Sequence, residues 1–140
     1  MPSQLTIGCS DVHKDDLLAI LTRGIAATRV LEVGTGNAET ALAIAQALPA
    51  DGMLITLERD STRATEAREL FAAHGLANRV SVMIGDANRY LHKVAGPFDM
   101  VVQNAADADR DAMQPRLVGL LRSGGLLVST GESLTITVKP

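Results

Sequence analysis

The sequence predicts an α/β fold, a mainly parallel sheet with helices on both faces. Two observations carry this. Strand-sized apolar runs alternate with stretches of helical period from Leu17 to Thr130, the order expected of a parallel sheet and its crossover helices. One of those runs, Val30-Leu31-Glu32-Val33, enters a glycine turn at Gly34-Thr35-Gly36 and then an alanine-rich helix. Glycines at such a turn let the backbone bend tightly and approach a ligand where a side chain would collide.

Each element has its own signal. Ser10 or Asp11 caps a first helix that reaches about Arg23, with Leu17, Leu18 and Leu21 as its apolar stripe. Val30, Leu31 and Val33 make a strand buried on both faces, and residues 38–45 have the period of the helix after it. Met53–Leu57 is a second strand that ends in Glu58. Asp60 or Ser61 caps a helix carrying Ala67, Leu70 and Phe71, and Gly75 ends it. Val80–Ile84 is a third strand, followed after Asp86 by a short helix with Tyr90 and Leu91. Phe98–Gln103 is the fourth strand. A helix with Leu117, Leu120 and Leu121 starts near Pro115, a residue favoured in a first turn. Ser123-Gly124-Gly125 turns into the fifth strand, Leu126–Thr130. Gly131–Ser133 reads as a tight turn, and Leu134–Val138 alternates as a final strand with one apolar face. That strand leaves an open sheet edge, and a second copy of the chain is expected, as a homodimer, to cover this edge or to supply a missing substrate wall.

Three of these strand ends carry acids. Glu32 lies two residues before the first glycine, at the floor of the turn. A dinucleotide site would want a third glycine at position 39 for its pyrophosphate; Glu39 stands there and would repel phosphate. A ligand with a cationic amino-acid end suits Glu32 better. Glu58 ends the second strand, where a carboxylate can accept both hydroxyls of a ribose. Asp86 follows Gly85 after the third strand, where it can accept from an adenine amino group while the Ala87 N–H donates to the ring. The plainer account makes Glu58 and Asp86 polar strand ends and helix caps.

Composition bounds the rest. The 140 residues suit a single domain over 1–140, and a hydrophobic share of 46% argues against disorder. A net charge of −3 gives no reason to expect nucleic acid or an anionic membrane as partner. No apolar run is long enough to span a membrane and no signal-peptide pattern opens the chain, so a cytoplasmic location is expected. Cys9 is the single cysteine, which excludes an internal disulfide or a cysteine-cluster metal site. Phe71, Tyr90 and Phe98 are all the aromatics, few for a chain that would wall in a flat aryl substrate. His13, His74 and His92 read as helix-end or surface residues, with His13 the one considered as a base.

The ordered set Leu31–Gly36, Ile55–Glu58, Gly85–Ala87, Phe98–Val102 and Leu121–Val128 resembles the caffeoyl-CoA and catechol O-methyltransferase-like family of class I S-adenosylmethionine-dependent methyltransferases. The resemblance implies a Rossmann-like three-layer sandwich, mainly parallel with an antiparallel C-terminal strand. It implies S-adenosylmethionine as cofactor, S-adenosylhomocysteine as product and a small-molecule acceptor. Glu32 and Val33-Gly34 would contact the methionine end, and Thr40 would replace a family serine near its carboxylate. Glu58 would bind the ribose and Asp86 with Ala87 the adenine, and Gly36, Arg59 and Asn104 join the cofactor-binding set.

The departures are concentrated. The family's metal-binding aspartate is Asn104 here, its proposed base lysine is Asp107, and its Asp-Asn ligand pair is Thr130 and Gly131. A hard divalent ion wants several oxygens including carboxylates, so no metal is expected. The alternating acids Asp107, Asp109 and Asp111 lack the glycine and glutamate that a calcium loop needs. The helix, loop and strand that family members insert before their last strand are missing as well. Two functions stay open: a metal-independent methyltransferase that positions an already nucleophilic acceptor, or a catalytically silent cofactor-binding protein with a regulatory or assembly role.

Overall fold

A computed structural model of the chain describes residues 3–8, 13–104, 110–131 and 133–140. Its strands are β1 (Gln4–Gly8), β2 (Arg29–Val33), β3 (Met53–Glu58), β4 (Val80–Ile84), β5 (Phe98–Gln103), β6 (Leu121–Ser129) and β7 (Ser133–Val138). They form a seven-stranded sheet in the order β1-β7-β6-β5-β2-β3-β4. Strands β2 to β6 are mutually parallel, β7 is antiparallel to β6, and β1 is antiparallel to β7. The helices are α1 (Lys14–Gly24), α2 (Glu39–Ala47), α3 (Ser61–Ala73), α4 (Ala87–Tyr90) and α5 (Arg110–Gly119).

The aliphatic residues of the sheet sort by parity. Val30, Leu54, Val82, Met100 and Val128 turn to one face, where they bury Leu18 of α1, Ala41 and Ile44 of α2, and Ala67 and Phe71 of α3. Leu31, Val33, Leu57, Val101 and Leu127 turn to the other, under Leu91 and under Met113 and Leu117 of α5. Period-two strands between two helical layers produce this split. The three-layer sandwich expected from sequence is therefore present, antiparallel last strand included.

Four expectations need correction. The edge beside β7 is filled from within the chain: β1 pairs with it from Gln4↔Thr137 to Gly8↔Ser133. Because β7 opposes the other strands, β1 runs parallel to them and completes the sheet in place of the missing inserted strand. The first helix starts at Lys14 with His13 at its cap position, and the expected caps Ser10 and Asp11 lie outside the described residues, as does Cys9. The last helix begins at Arg110, not near Pro115, which sits inside it. An interior proline costs about 3 kcal/mol, but burying Met113 and Leu117 returns about 2 kcal/mol each. Leu121 belongs to β6, which pairs Leu121 with Phe98 and then Leu126 with Met100. The expected turn at Ser123-Gly124-Gly125 is thus a bulge within that strand, with Gly124 at φ +79°.

Chain order sets the position of the site. From β2 the chain steps outward to β3 and β4, then crosses back to β5 on the other flank of β2. Helices diverge at such a switch point and leave a crevice beyond the carboxyl ends of the strands. The Asn104 N–H donates to the Val33 carbonyl at 2.9 Å and holds the two strand ends together there.

Candidate functional site

A cleft of about 310 Å³ opens at the switch point, lined by Val33, Gly34, Gly36, Leu57, Glu58, Arg59, Arg63, Gly85, Ala87 and Asn104. Small-molecule sites begin at about 300 Å³. Gly34 at φ +91° and Gly36 at φ +57° form the turn in its wall, conformations that a Cβ disfavours. Ala38, in the place of the family's third glycine, is buried at φ +70° and opens α2 without a side-chain cap.

Glu58 lies at the end of β3 and is 5% exposed. No hydrogen bond to its carboxylate is formed among the described residues. A nearly buried carboxylate in a cleft wall, without a partner from the protein, is set up to accept from a ligand. Arg59 stands 4.0 Å from Asp86 across the same end of the cleft, and Arg63 joins the wall from the first turn of α3.

Seven of the residues singled out from sequence thus meet in the wall: Val33, Gly34, Gly36, Glu58, Arg59, Ala87 and Asn104. Three do not. Glu32 is wholly buried beneath the turn; its Oε1 accepts from the Thr56 hydroxyl at 2.6 Å and its Oε2 from the Asn104 amide at 2.8 Å. Burial pushes its carboxyl up from 4.5 to about 8, against the pull of the Thr56 hydrogen bond and of Lys14. Thr40 turns away from the cleft, and its hydroxyl donates to Asp15 of α1 at 2.7 Å. Asp86 caps α4 by accepting the Asn88 N–H at 3.0 Å and borders a neighbouring hollow with Arg89, Tyr90 and Lys93. Leu57, Gly85 and Arg63 are lining residues that the sequence reading did not place in the site. The first two are neighbours of named acids. Arg63 was findable as the third residue of a helix capped by Asp60, whose Oδ1 accepts from Thr62 N and Arg63 N.

The family's metal-ligand positions come together, but with unsuitable chemistry. The Thr130 hydroxyl donates to Asn104 Oδ1 at 2.5 Å, the Asn104 amide is spent on Glu32, and Gly131 has no side chain. One amide oxygen already engaged by a hydroxyl is a poor donor set for a hard divalent ion, and a metal does not fit these residues. Asp107 lies outside the described residues.

Comparison with known proteins gives the chain's relatives. The curated catechol O-methyltransferase of Mycobacterium tuberculosis is 34% identical over 112 residues, 79% of this chain and 51% of its own length. The Streptomyces achromogenes O-methyltransferase TomG, solved in complex with S-adenosylmethionine, superposes with a TM-score of 0.80 at 32% identity, over 83% of this chain and 54% of its own. The O-methyltransferase of Bacillus cereus, solved with S-adenosylhomocysteine, gives 0.79 at 26% identity over 88% of this chain and 59% of its own. The chain spans about half the length of the curated relatives it matches. A family model described as O-methyltransferase matches residues 3–133, from ahead of β1 to the first residue of β7, and the chain belongs to that family.

Proposed function

We propose that this chain binds S-adenosylmethionine in the cleft at the switch point and transfers its methyl group to a small acceptor without a metal ion. The observation that carries this is Glu58, nearly buried, in the cleft wall and left without a protein partner among the described residues. When bound, the cofactor supplies a methyl group on a sulfonium centre. The chain's part is to bind and orient. Glu58 accepts from a ribose diol, Val33, Leu57 and Ala87 give apolar contact, and Gly34 and Gly36 let the backbone close on the ligand. With Asn104 and Thr130 bonded to each other, positioning of an already nucleophilic acceptor carries the chemistry. The same Asn104–Thr130 bridge is what favours the second reading, a cofactor-binding protein without turnover.

Calorimetric titration of S-adenosylmethionine and S-adenosylhomocysteine, with and without magnesium, tests the proposal. Micromolar binding indifferent to magnesium is expected, weakened by about 1–3 kcal/mol in Glu58→Ala. A magnesium requirement would refute the metal-free site, and absence of binding would remove the cofactor reading altogether. A bound cofactor that is never turned over leaves the silent binder.

A further inference from the structure

Asn104 stands between two hollows. On one side it lines the cofactor cleft; on the other it holds Thr130, which forms part of the wall of a second hollow of about 410 Å³. That second hollow lies across β6, β7 and β1 beside α5, lined among others by Gln4, Arg110, Ser129, Thr130, Thr135 and Thr137. Alternation along β7 explains its character. Leu134 and Ile136 turn into the core, so Thr135 and Thr137 turn to the opposite face. Helix α5 covers β5 and β6 on this face through Met113 and Leu117 and leaves the hydroxyl-bearing part open.

Each of those six side chains carries a hydrogen-bond donor, the Thr130 hydroxyl already giving its proton to Asn104. The Arg110 guanidinium is fixed at the rim, with its Nη2 donating to the carbonyl oxygens of Gln103, at 2.9 Å, and of Thr130. Asp111, exposed at the start of α5, is the carboxylate in this wall. None of the chain's three aromatic residues lines the hollow. Between the two hollows, Asn104 and Thr130 are neutral groups that cannot take up a proton. Glu32 behind them is sealed from solvent. An acceptor that arrives already deprotonated needs neither base nor metal, and a wall of donors suits an anion.

We propose that this second hollow is the acceptor subsite and that the acceptor is a small aliphatic carboxylate, methylated on oxygen. The inference rests on the cofactor reading above. One carboxylate oxygen forms the O–CH3 bond as the S–CH3 bond breaks and its electron pair passes to sulfur. The sulfonium becomes a neutral thioether and the anion a neutral methyl ester, with no proton transferred. Arg110 and the hydroxyls of Thr135 and Thr137 hold the carboxylate oxygen not in reaction, and the Asn104–Thr130 bridge lies where the two hollows approach each other.

The test separates the two readings. Cofactor binding is first measured by calorimetry on the wild-type chain. Transfer of radiolabelled methyl is then assayed against malonate, succinate and citrate, with catechol, an aliphatic alcohol, a primary amine and a thiol in parallel. Methyl esters release methanol in alkali, whereas ethers, amines and thioethers keep the label. The expected result is an alkali-labile product from a carboxylate. Thr135→Val and Arg110→Lys should each raise the acceptor KM by about fivefold or more with cofactor affinity unchanged. Alkali-stable label on another acceptor, or no turnover of the carboxylates by a chain that binds the cofactor, overturns the proposal. Failure to bind the cofactor brings down the reading beneath it instead.

Discussion

Glu32→Gln probes the least visible part of the site. Burial holds the Glu32 carboxyl neutral up to about pH 8, against 4.5 for an ordinary one. The folded chain therefore keeps a proton that the unfolded chain has already released, and stability falls as pH rises from about 4.5 through about 8. The slope is about 1.4 kcal/mol per pH unit from this one group. Glutamine is neutral at every pH and can keep both contacts: its NH2 donates to Thr56 Oγ1 once that hydroxyl turns to donate to Thr35, and its carbonyl oxygen accepts from the Asn104 amide. Between pH 5.5 and 7.5 the stability of the Gln variant should gain on the wild type by about 3 kcal/mol, all other groups being common to both. Lys14, which favours the ionised form, and Asp15, which opposes it, are the charges facing this carboxyl from α1. Urea denaturation at a series of pH values reads the difference directly. Parallel profiles for the two proteins would mean that Glu32 is ionised in the fold, and the reasoning would be wrong.

Three further outcomes follow from other places in the chain. Ala26, exposed just beyond α1, has φ +52°, so Ala26→Gly should raise stability by about 0.5–1 kcal/mol, seen as a Tm higher by a few degrees. Asp99 is opposed by burial but accepts from Thr28 N at 2.8 Å, Arg122 Nε at 2.7 Å and Arg29 N at 3.0 Å, which together hold its carboxyl below the ordinary value. Asp99→Ala should cost about 2–3 kcal/mol in urea at pH 7. That contribution is present above the unfolded pKa near 3.9 and disappears as pH falls through the lower folded value, so wild type and variant should converge in acid. Deleting residues 1–8 strips β1 from β7 and should raise the mass seen in light scattering above that of the full chain, through self-association. Unchanged mass would show that β7 needs no cover.

What could be read from sequence was local. The glycine turn, the Asp60 cap, and the positions of Glu58 and Asp86 at strand ends each depend on a few adjacent residues, and each stands where expected. Strand β1 depends on something distant. Gln4–Gly8 is five residues with only Ile7 partly buried, and its reason to be a strand is the unpaired edge of β7, more than a hundred residues away. Pro115 misled because propensity at one position was weighed without the pair Met113 and Leu117 that buries the helix. Glu32 held a signal that went unused. Residues alternate across a strand, so Glu32 shares a face with Val30 and stands opposite Thr56 in register, inside the sheet and not above it.

That placement connects features which look separate in sequence. A chain of hydrogen bonds crosses the carboxyl ends of four strands: Thr35 to Thr56 at 2.6 Å, Thr56 to Glu32 at 2.6 Å, Glu32 to Asn104 at 2.8 Å, and Asn104 to Thr130 at 2.5 Å. A buried carboxylate keeps its charge only when paired, and neither Asn104 nor Thr130 offers a positive partner. Neutral Glu32 and neutral residues at the family's ligand positions are therefore one arrangement. A cation beside Asn104 would favour ionised Glu32, and ionised Glu32 would in turn call for a cation. What remains is a network without net charge in which Thr35, Thr56, Glu32, Asn104 and Thr130 each find a partner. It ties the floor of the cofactor cleft to the wall of the second hollow. Geometry at one end is in this way fixed by groups at the other.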